Sequence, residues 1–220
     1  MASKYQFAHV KKQTPNLVFL LVIFLALALP MPALADGPAP AALPTLDSFI
    51  ETVKDGSIST LRGVYVQGVM AYPVIQQPAN NAGYVSSLNG RLTQFKLAST
   101  YGTVGLLAHN YLAGASFSQL KEGDIITLVY GNGRTSSFMV TDIQSYKAQT
   151  PTSPYSNFTD LETNDFYTAE QLFKKVYAGE YRLTLQTCIE KDGDLSWGRL
   201  FIIAKPVTES TILKTGEIQG

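Results

Sequence analysis

The chain's one cysteine, Cys188, closes the segment "YRLTLQTCI", and Arg199 opens a second apolar run, "RLFIIAK", eleven residues later. Between them lies Asp192-Gly193, a dipeptide suited to a tight turn, so the two runs read as one antiparallel hairpin. Cys188 and Arg199 are symmetric about the Gly193–Asp194 bond. A pairing with that register sets them opposite each other, with Cβ atoms about 4.5–5.5 Å apart. Alternation along the first strand puts Arg182, Thr184, Gln186 and Cys188 on a more polar face, and Tyr181, Leu183 and Leu185 on the core face. A cation beside a thiol raises the thiolate fraction, and the thiolate is the nucleophile. Attack on a carbonyl creates an oxyanion that a guanidinium stabilises through charge-assisted hydrogen bonds. His109, at the end of "TVGLLAH", offers an imidazole to protonate a leaving amine near neutral pH. Each residue alone also has a plainer reading: a buried thiol, a hydrogen-bonded structural histidine, a surface ion pair.

The elements that must hold these three residues are mostly strands. "GVYVQGVMAYPV", "RLTQFKLA", "TVGLLAH", "DIITLVY", "TSSFMVTDIQSY", "YRLTLQTCI" and "RLFIIAK" are rich in β-branched and aromatic residues and are separated by turn residues. Asn132-Gly133 within "YGNGRT" marks a further hairpin. Seven or eight strands in such a span predict a closed barrel or sandwich rather than a parallel α/β sheet. "TLDSFIETVKDG" suggests one or two amphipathic helical turns ended by Gly56. "TAEQLFKKVYAG" predicts a helix with a capping box at Thr168 and Gln171; Ala169, Leu172, Phe173, Val176 and Tyr177 share its apolar face. Before it, Lys147 to Tyr167 shows no regular periodicity, and irregular connections longer than about 15 residues are more often lids or binding loops. Tyr155 and Phe158 in that loop, and Trp197 beside the hairpin turn, are candidate groove residues; the alternative for each is packing.

The amino-terminal stretch carries Lys4, Lys11 and Lys12 ahead of thirteen apolar residues, Leu17 to Leu29, and then Ala33-Leu34-Ala35. That run is short of the roughly 20 residues that span a bilayer and suits a signal segment cleaved at a small-x-small site. The expected organisation is a signal peptide over 1–35, a linker and amino-terminal segment over 36–60, a barrel domain over 61–208 and a polar tail over 209–220. The protein is then extracytoplasmic, secreted or at the cell surface, touching membrane only if the leader is retained. Cleavage also removes His9, leaving His109 as the one histidine. With 14 basic against 17 acidic residues left, no basic excess points to nucleic acid.

Together these motifs resemble those of sortases, the bacterial cysteine transpeptidases. "TLQTC" is similar to the TLxTC strand motif, "RLFIIA" to the arginine strand, and "LLAHNYLAGASFSQLKEGDIITLVYGNG" to the histidine strand and its following segment. The resemblance runs from about Arg62 to Val207 in the order His, Cys, Arg. It implies an all-β fold, a closed eight-stranded sortase-type barrel with one or two short helices in its connections. It also implies a transpeptidase with Cys188 as nucleophile, His109 as general acid and Arg199 as oxyanion and substrate stabiliser. The partners implied are a peptide or protein sorting signal, bound through a thioacyl intermediate, and an amine acceptor. The connection from Lys147 to Gly179 would help form the substrate groove, and Thr187 would add its backbone to the oxyanion site. Two alternatives remain: a secreted thiol peptidase that hydrolyses, and a silent peptide-binding module, against which the intact trio argues. Ala108 stands where sortases commonly have glycine. No Asp or Glu lies between Leu61 and His109, so no calcium cluster, metal or cofactor is expected.

Overall fold

A computed structural model describes residues 42–207. The predicted signal segment, the first part of the 36–60 segment and the polar tail lie outside the described residues. The apolar alternation read from the sequence becomes strands β1 (Leu61–Val66), β2 (Met70–Gln76), β3 (Leu92–Phe95), β4 (Val104–Leu107), β5 (Ile125–Tyr130) and β6 (Thr135–Ala148). They continue with β7 (Phe158–Asp160), β8 (Phe166–Tyr167), β9 (Leu183–Lys191) and β10 (Asp194–Pro206). The hydrogen-bonded order is β10-β9-β4-β3-β2-β1-β5-β6, and a β10–β6 pairing closes these eight strands into a barrel. Most neighbours are antiparallel; β2–β3 and β4–β9 are parallel, so the barrel is mixed. Closure removes the free sheet edges that an open sheet would have to protect.

Helices fill the connections, as the resemblance implied: α2 (Lys96–Thr100) and α3 (Ala169–Tyr177), together with a 3₁₀ helix over Ala113–Gln119. Ahead of the barrel, α1 (Leu46–Val53) begins at Thr45, whose hydroxyl accepts from Ser48 N–H, and its Phe49 is buried against Tyr65 of β1. Two local expectations change. "KLA" extends β3 in the sequence pattern, yet it forms the first turn of α2, with Ala98 buried. The segment Lys147–Tyr167, which lacks periodicity, still contains the short hairpin β7–β8, pinned to the end of β6. Strands this short show no repeat in sequence, and backbone pairing alone defines them.

Two apolar clusters result. Inside the barrel sit Leu183 and Leu185 with residues such as Val64, Leu106, Ile126, Leu128, Phe138 and Ile202. Each large side chain so buried contributes about 1.5–3 kcal/mol of hydrophobic stabilisation. Outside it, α3 packs Leu172, Val176 and Tyr177 against Phe201, Ile203 and Tyr146. The capping box at Thr168 forms as expected, with both reciprocal bonds present. The polar face of β9 is therefore not a solvent face. Thr184 is fully buried there, donating to the Val176 carbonyl at 2.7 Å, whereas Tyr181, assigned to the core face, is half exposed. The correction has a simple cause: period-two alternation marks two faces without saying that both are covered.

Asp160, at the end of β7, anchors the turn into β8. Its carboxylate accepts from Glu162 N–H at 2.9 Å and Thr163 N–H at 3.2 Å, and lies 3.6 Å from Lys175 Nζ of α3. Burial pushes its pKa up, but the two backbone donors and Lys175 outweigh that and hold it below the ordinary carboxylate value. A folded-state pKa below the unfolded one adds stability above the unfolded value, lost as pH falls through the folded value. Asp160→Asn is thus expected to destabilise the domain near neutral pH, and the gap from wild type to shrink below about pH 4. Urea unfolding of both proteins across pH measures this; a gap that does not change with pH would refute it.

Candidate active site

The β9–β10 hairpin turns on two residues. Asp192 (φ 55°) and Gly193 (φ 84°) both lie in the left-handed region, the geometry of a two-residue type I′ loop, and Lys191 pairs with Asp194. Continued unbroken, that register would place Trp197 opposite Cys188. It does not continue. A bulge adds two residues to β10 between Asp194 and Gly198, and beyond it Cys188 faces Arg199. The shift is even, so the alternation of faces survives it.

His109 reaches the same place from the other edge of β9. The parallel β4–β9 register runs from Val104↔Leu183 to Leu107↔Gln186, and Ala108 N–H donates to the Gln186 carbonyl at 3.2 Å. Beyond this bond the chain leaves β4 and turns at His109, whose carbonyl accepts from Leu112 N–H. Cys188 thus faces Arg199 across β9 and β10, and His109 lies two residues past the last β4–β9 pair; all three are half-buried. The His109 ring stacks on Tyr111 with centroids 5.2 Å apart. Asn110 Nδ2 donates to the Leu195 carbonyl at 3.0 Å, tying the histidine loop to the bulge.

Thr187 and Gly114 fasten this junction. Thr187 is buried, and its hydroxyl donates to the Ala108 carbonyl at 2.9 Å, joining the residue before the cysteine to the residue before the histidine. Gly114 N–H donates to the His109 carbonyl at 3.0 Å. A Cβ at Gly114 would fall on Thr187 Oγ1 and lie 2.7 Å from the His109 carbonyl oxygen, so the turn accepts only glycine. Ala108 itself is buried in the barrel core.

Arg199 is held by backbone carbonyls. Its Nη1 donates to Ser196 and Gly198, both at 2.8 Å, and its Nη2 to Pro151 at 3.0 Å. Those bonds use three of five N–H groups, leaving Nε–H and one Nη2 hydrogen without a partner among the described residues. Arg199 lines a groove of about 380 Å³ together with Gln186, Phe201, Phe95, Phe158 and Phe173. Cys188 borders a second depression of about 310 Å³, with Asn110, Ala115, Ser118 and Leu200.

The remaining predicted residues are spread about this region. Phe158 is buried in the groove wall, 6.0 Å from the Arg199 guanidinium carbon. Tyr155 is 85% exposed, on the rim of the Gln149–Asn157 connection. Trp197 lies in the bulge, half-buried, with Lys191 Nζ 4.8 Å from its ring. Sequence reasoning did not single out Gly114 or Pro151; Tyr177 it placed on the apolar face of the helix, and Gln186 on the Cys188 face, neither with a role at the site. Among the described residues no three His, Cys, Asp or Glu side chains gather as a metal site would need, and no helix is long and apolar enough to cross a membrane.

No family model and no curated protein matches the chain. Solved structures do. Sortase C-1 from Actinomyces oris is 14% identical with a TM-score of 0.47, over 77% of this chain and 84% of that one. Listeria monocytogenes sortase A is 15% identical with a TM-score of 0.41, over 73% and 97%. The Clostridium perfringens Sortase D5 transpeptidase is 12% identical with a TM-score of 0.43, over 74% and 87%.

Gly114→Ala is expected to cost about 1–3 kcal/mol of stability, because the new methyl must displace Thr187 or the His109 turn. In a Thr187→Ala background the same change should cost less, since one clashing atom is gone. Chemical denaturation of the four proteins checks this; strict additivity would show that the two side chains do not meet. The eight-stranded circuit closed by β10–β6, with β9, which carries Cys188, held between β4 and β10, is a closed mixed β-barrel.

Proposed function

We propose that this protein is a sortase-like cysteine transpeptidase that cleaves a peptide sorting signal and transfers its acyl part to an amine. The observation that carries the reading is the pairing of Cys188 with Arg199 across β9 and β10, with Ala108, the residue before His109, bonded to β9 at Gln186 and Thr187. Cys188 Sγ, as thiolate, attacks the scissile carbonyl, and the π electrons of that carbonyl become an oxyanion. The two uncommitted N–H groups of Arg199 are suited to hold it. When the C–N bond breaks, imidazolium His109 gives its proton to the departing amine, and a thioester to Cys188 remains. An incoming amine attacks the thioester and loses its proton to His109, and as the C–S bond breaks Cys188 leaves as thiolate, which restores the starting thiolate and imidazolium.

The exported location suggested by the amino-terminal segment fits such a substrate, since sorting signals belong to surface proteins. Incubation with a library of sorting-type peptides plus triglycine, read by mass spectrometry, tests the proposal. An amine adduct is the expected product; hydrolysis alone would indicate a thiol peptidase, and no product a peptide-binding module. Cys188→Ala should abolish the adduct without unfolding the domain, because little volume is removed. Arg199→Lys should lower turnover at least tenfold, since an ammonium cannot bond the three carbonyls and the oxyanion at once. Full activity in Arg199→Lys would remove the arginine from the mechanism.

A further inference from the structure

The groove beside Arg199 is mostly aromatic and aliphatic, and Gln186 is one of its few polar groups. Gln186 occupies the variable position of "TLQTC" and is the nearest residue before Cys188 on the same face of β9. Its carboxamide is not free to turn. Tyr177, fully buried in α3, donates its hydroxyl to Gln186 Oε1 at 2.6 Å. Burial pushes the Tyr177 pKa far up, so the hydroxyl stays protonated and remains a donor. The Gln186 oxygen is thereby occupied, while its Nε2 has no hydrogen-bond partner among the described residues and belongs to the groove lining.

We propose that Gln186 is a substrate-positioning residue whose Nε2 donates a hydrogen bond to a backbone carbonyl of an extended peptide, two residues before the scissile bond. The register rests on Cys188 being the acyl-accepting thiol. Same-face neighbours on a strand are about 6.6–6.8 Å apart, and alternate carbonyls of an extended peptide repeat at the same spacing. With the scissile carbonyl at Cys188, the carbonyl two residues earlier lies over Gln186. The acyl half stays covalently bound after the first amine leaves, so it is the half that needs a built groove. Arg199 already spends three N–H groups on protein carbonyls, which makes a second, neutral donor useful there. Tyr177 acts through Gln186: it sets which way the amide faces and touches no substrate.

The test uses the same peptide library with triglycine, on the whole domain. Gln186→Ala should lower kcat/KM about tenfold, the loss of one substrate hydrogen bond, mainly through KM. Gln186→Glu should lose more, because a carboxylate offers only acceptors to a carbonyl. Tyr177→Phe should lose part of the same effect, and adding it to Gln186→Ala should lose nothing further. Alkylation of Cys188 by iodoacetamide, which needs no groove, should proceed at the wild-type rate in the uncharged variants Gln186→Ala and Tyr177→Phe. In Cys188→Ala labelled with ¹⁵N, the Gln186 side-chain amide resonances should shift saturably with the peptide pool. Unchanged turnover in Gln186→Ala, or a Gln186 amide that does not respond to peptide, overturns the proposal. A saturable shift without any product from wild type would overturn acyl transfer and leave the peptide contact standing.

Discussion

Strand β9 hydrogen-bonds along both edges, parallel to β4 and antiparallel to β10, and these two registers decide which side chains can meet. A slip of one residue on either side would turn the partner to the other face of the sheet. The site therefore depends on whatever prevents slippage. Two fasteners do this: the bond from Thr187 to the Ala108 carbonyl on one edge, and the paired Asp192-Gly193 turn and bulge on the other.

The faces of β9 have separate duties. Its inward residues Leu183 and Leu185 hold the barrel core, and Thr187 continues that face as the fastener. Its outward residues meet α3, through the Thr184–Val176 and Gln186–Tyr177 bonds, until the helix ends and Cys188 is left half-buried. The helix covers two outward residues of the strand and leaves the third, Cys188, outside its cover. The same helix is braced from below by Lys175, whose ammonium sits 4.6 Å from the Tyr167 ring and 3.6 Å from Asp160. Hairpin β7–β8, the connection above Arg199 and α3 thus form one supported wall.

Arg199 belongs to both parts. Its strand position is set by the bulge, and its guanidinium bonds the carbonyls of that bulge as well as Pro151 in the connection. A rigid planar fork with five donors can satisfy the backbone around it and still face the thiol across the sheet. This is why the barrel end and the loop above it hold a single geometry.

Much of the barrel was legible in the sequence because strand runs, turn dipeptides and a capping box are local signals, readable without knowing their partners. The same holds for the Cys188–Arg199 pair: the two residues are joined by a short hairpin, and "TLQTC" with "RLFIIA" is a contiguous pattern. The opposition of Cys188 and Arg199 was anticipated from symmetry about the Gly193–Asp194 bond, yet the structure reaches it by a tighter turn and a compensating bulge. What only the tertiary structure decided is non-local. Parallel pairing of β4 with β9 crosses 79 residues, the cover of the polar β9 face comes from a helix, and the glycine demanded at Gly114 follows from Thr187, far along the chain. The physical reason is that a residue's type and its neighbours in sequence set its preferred backbone, whereas burial and register are fixed by which surfaces meet when the barrel closes.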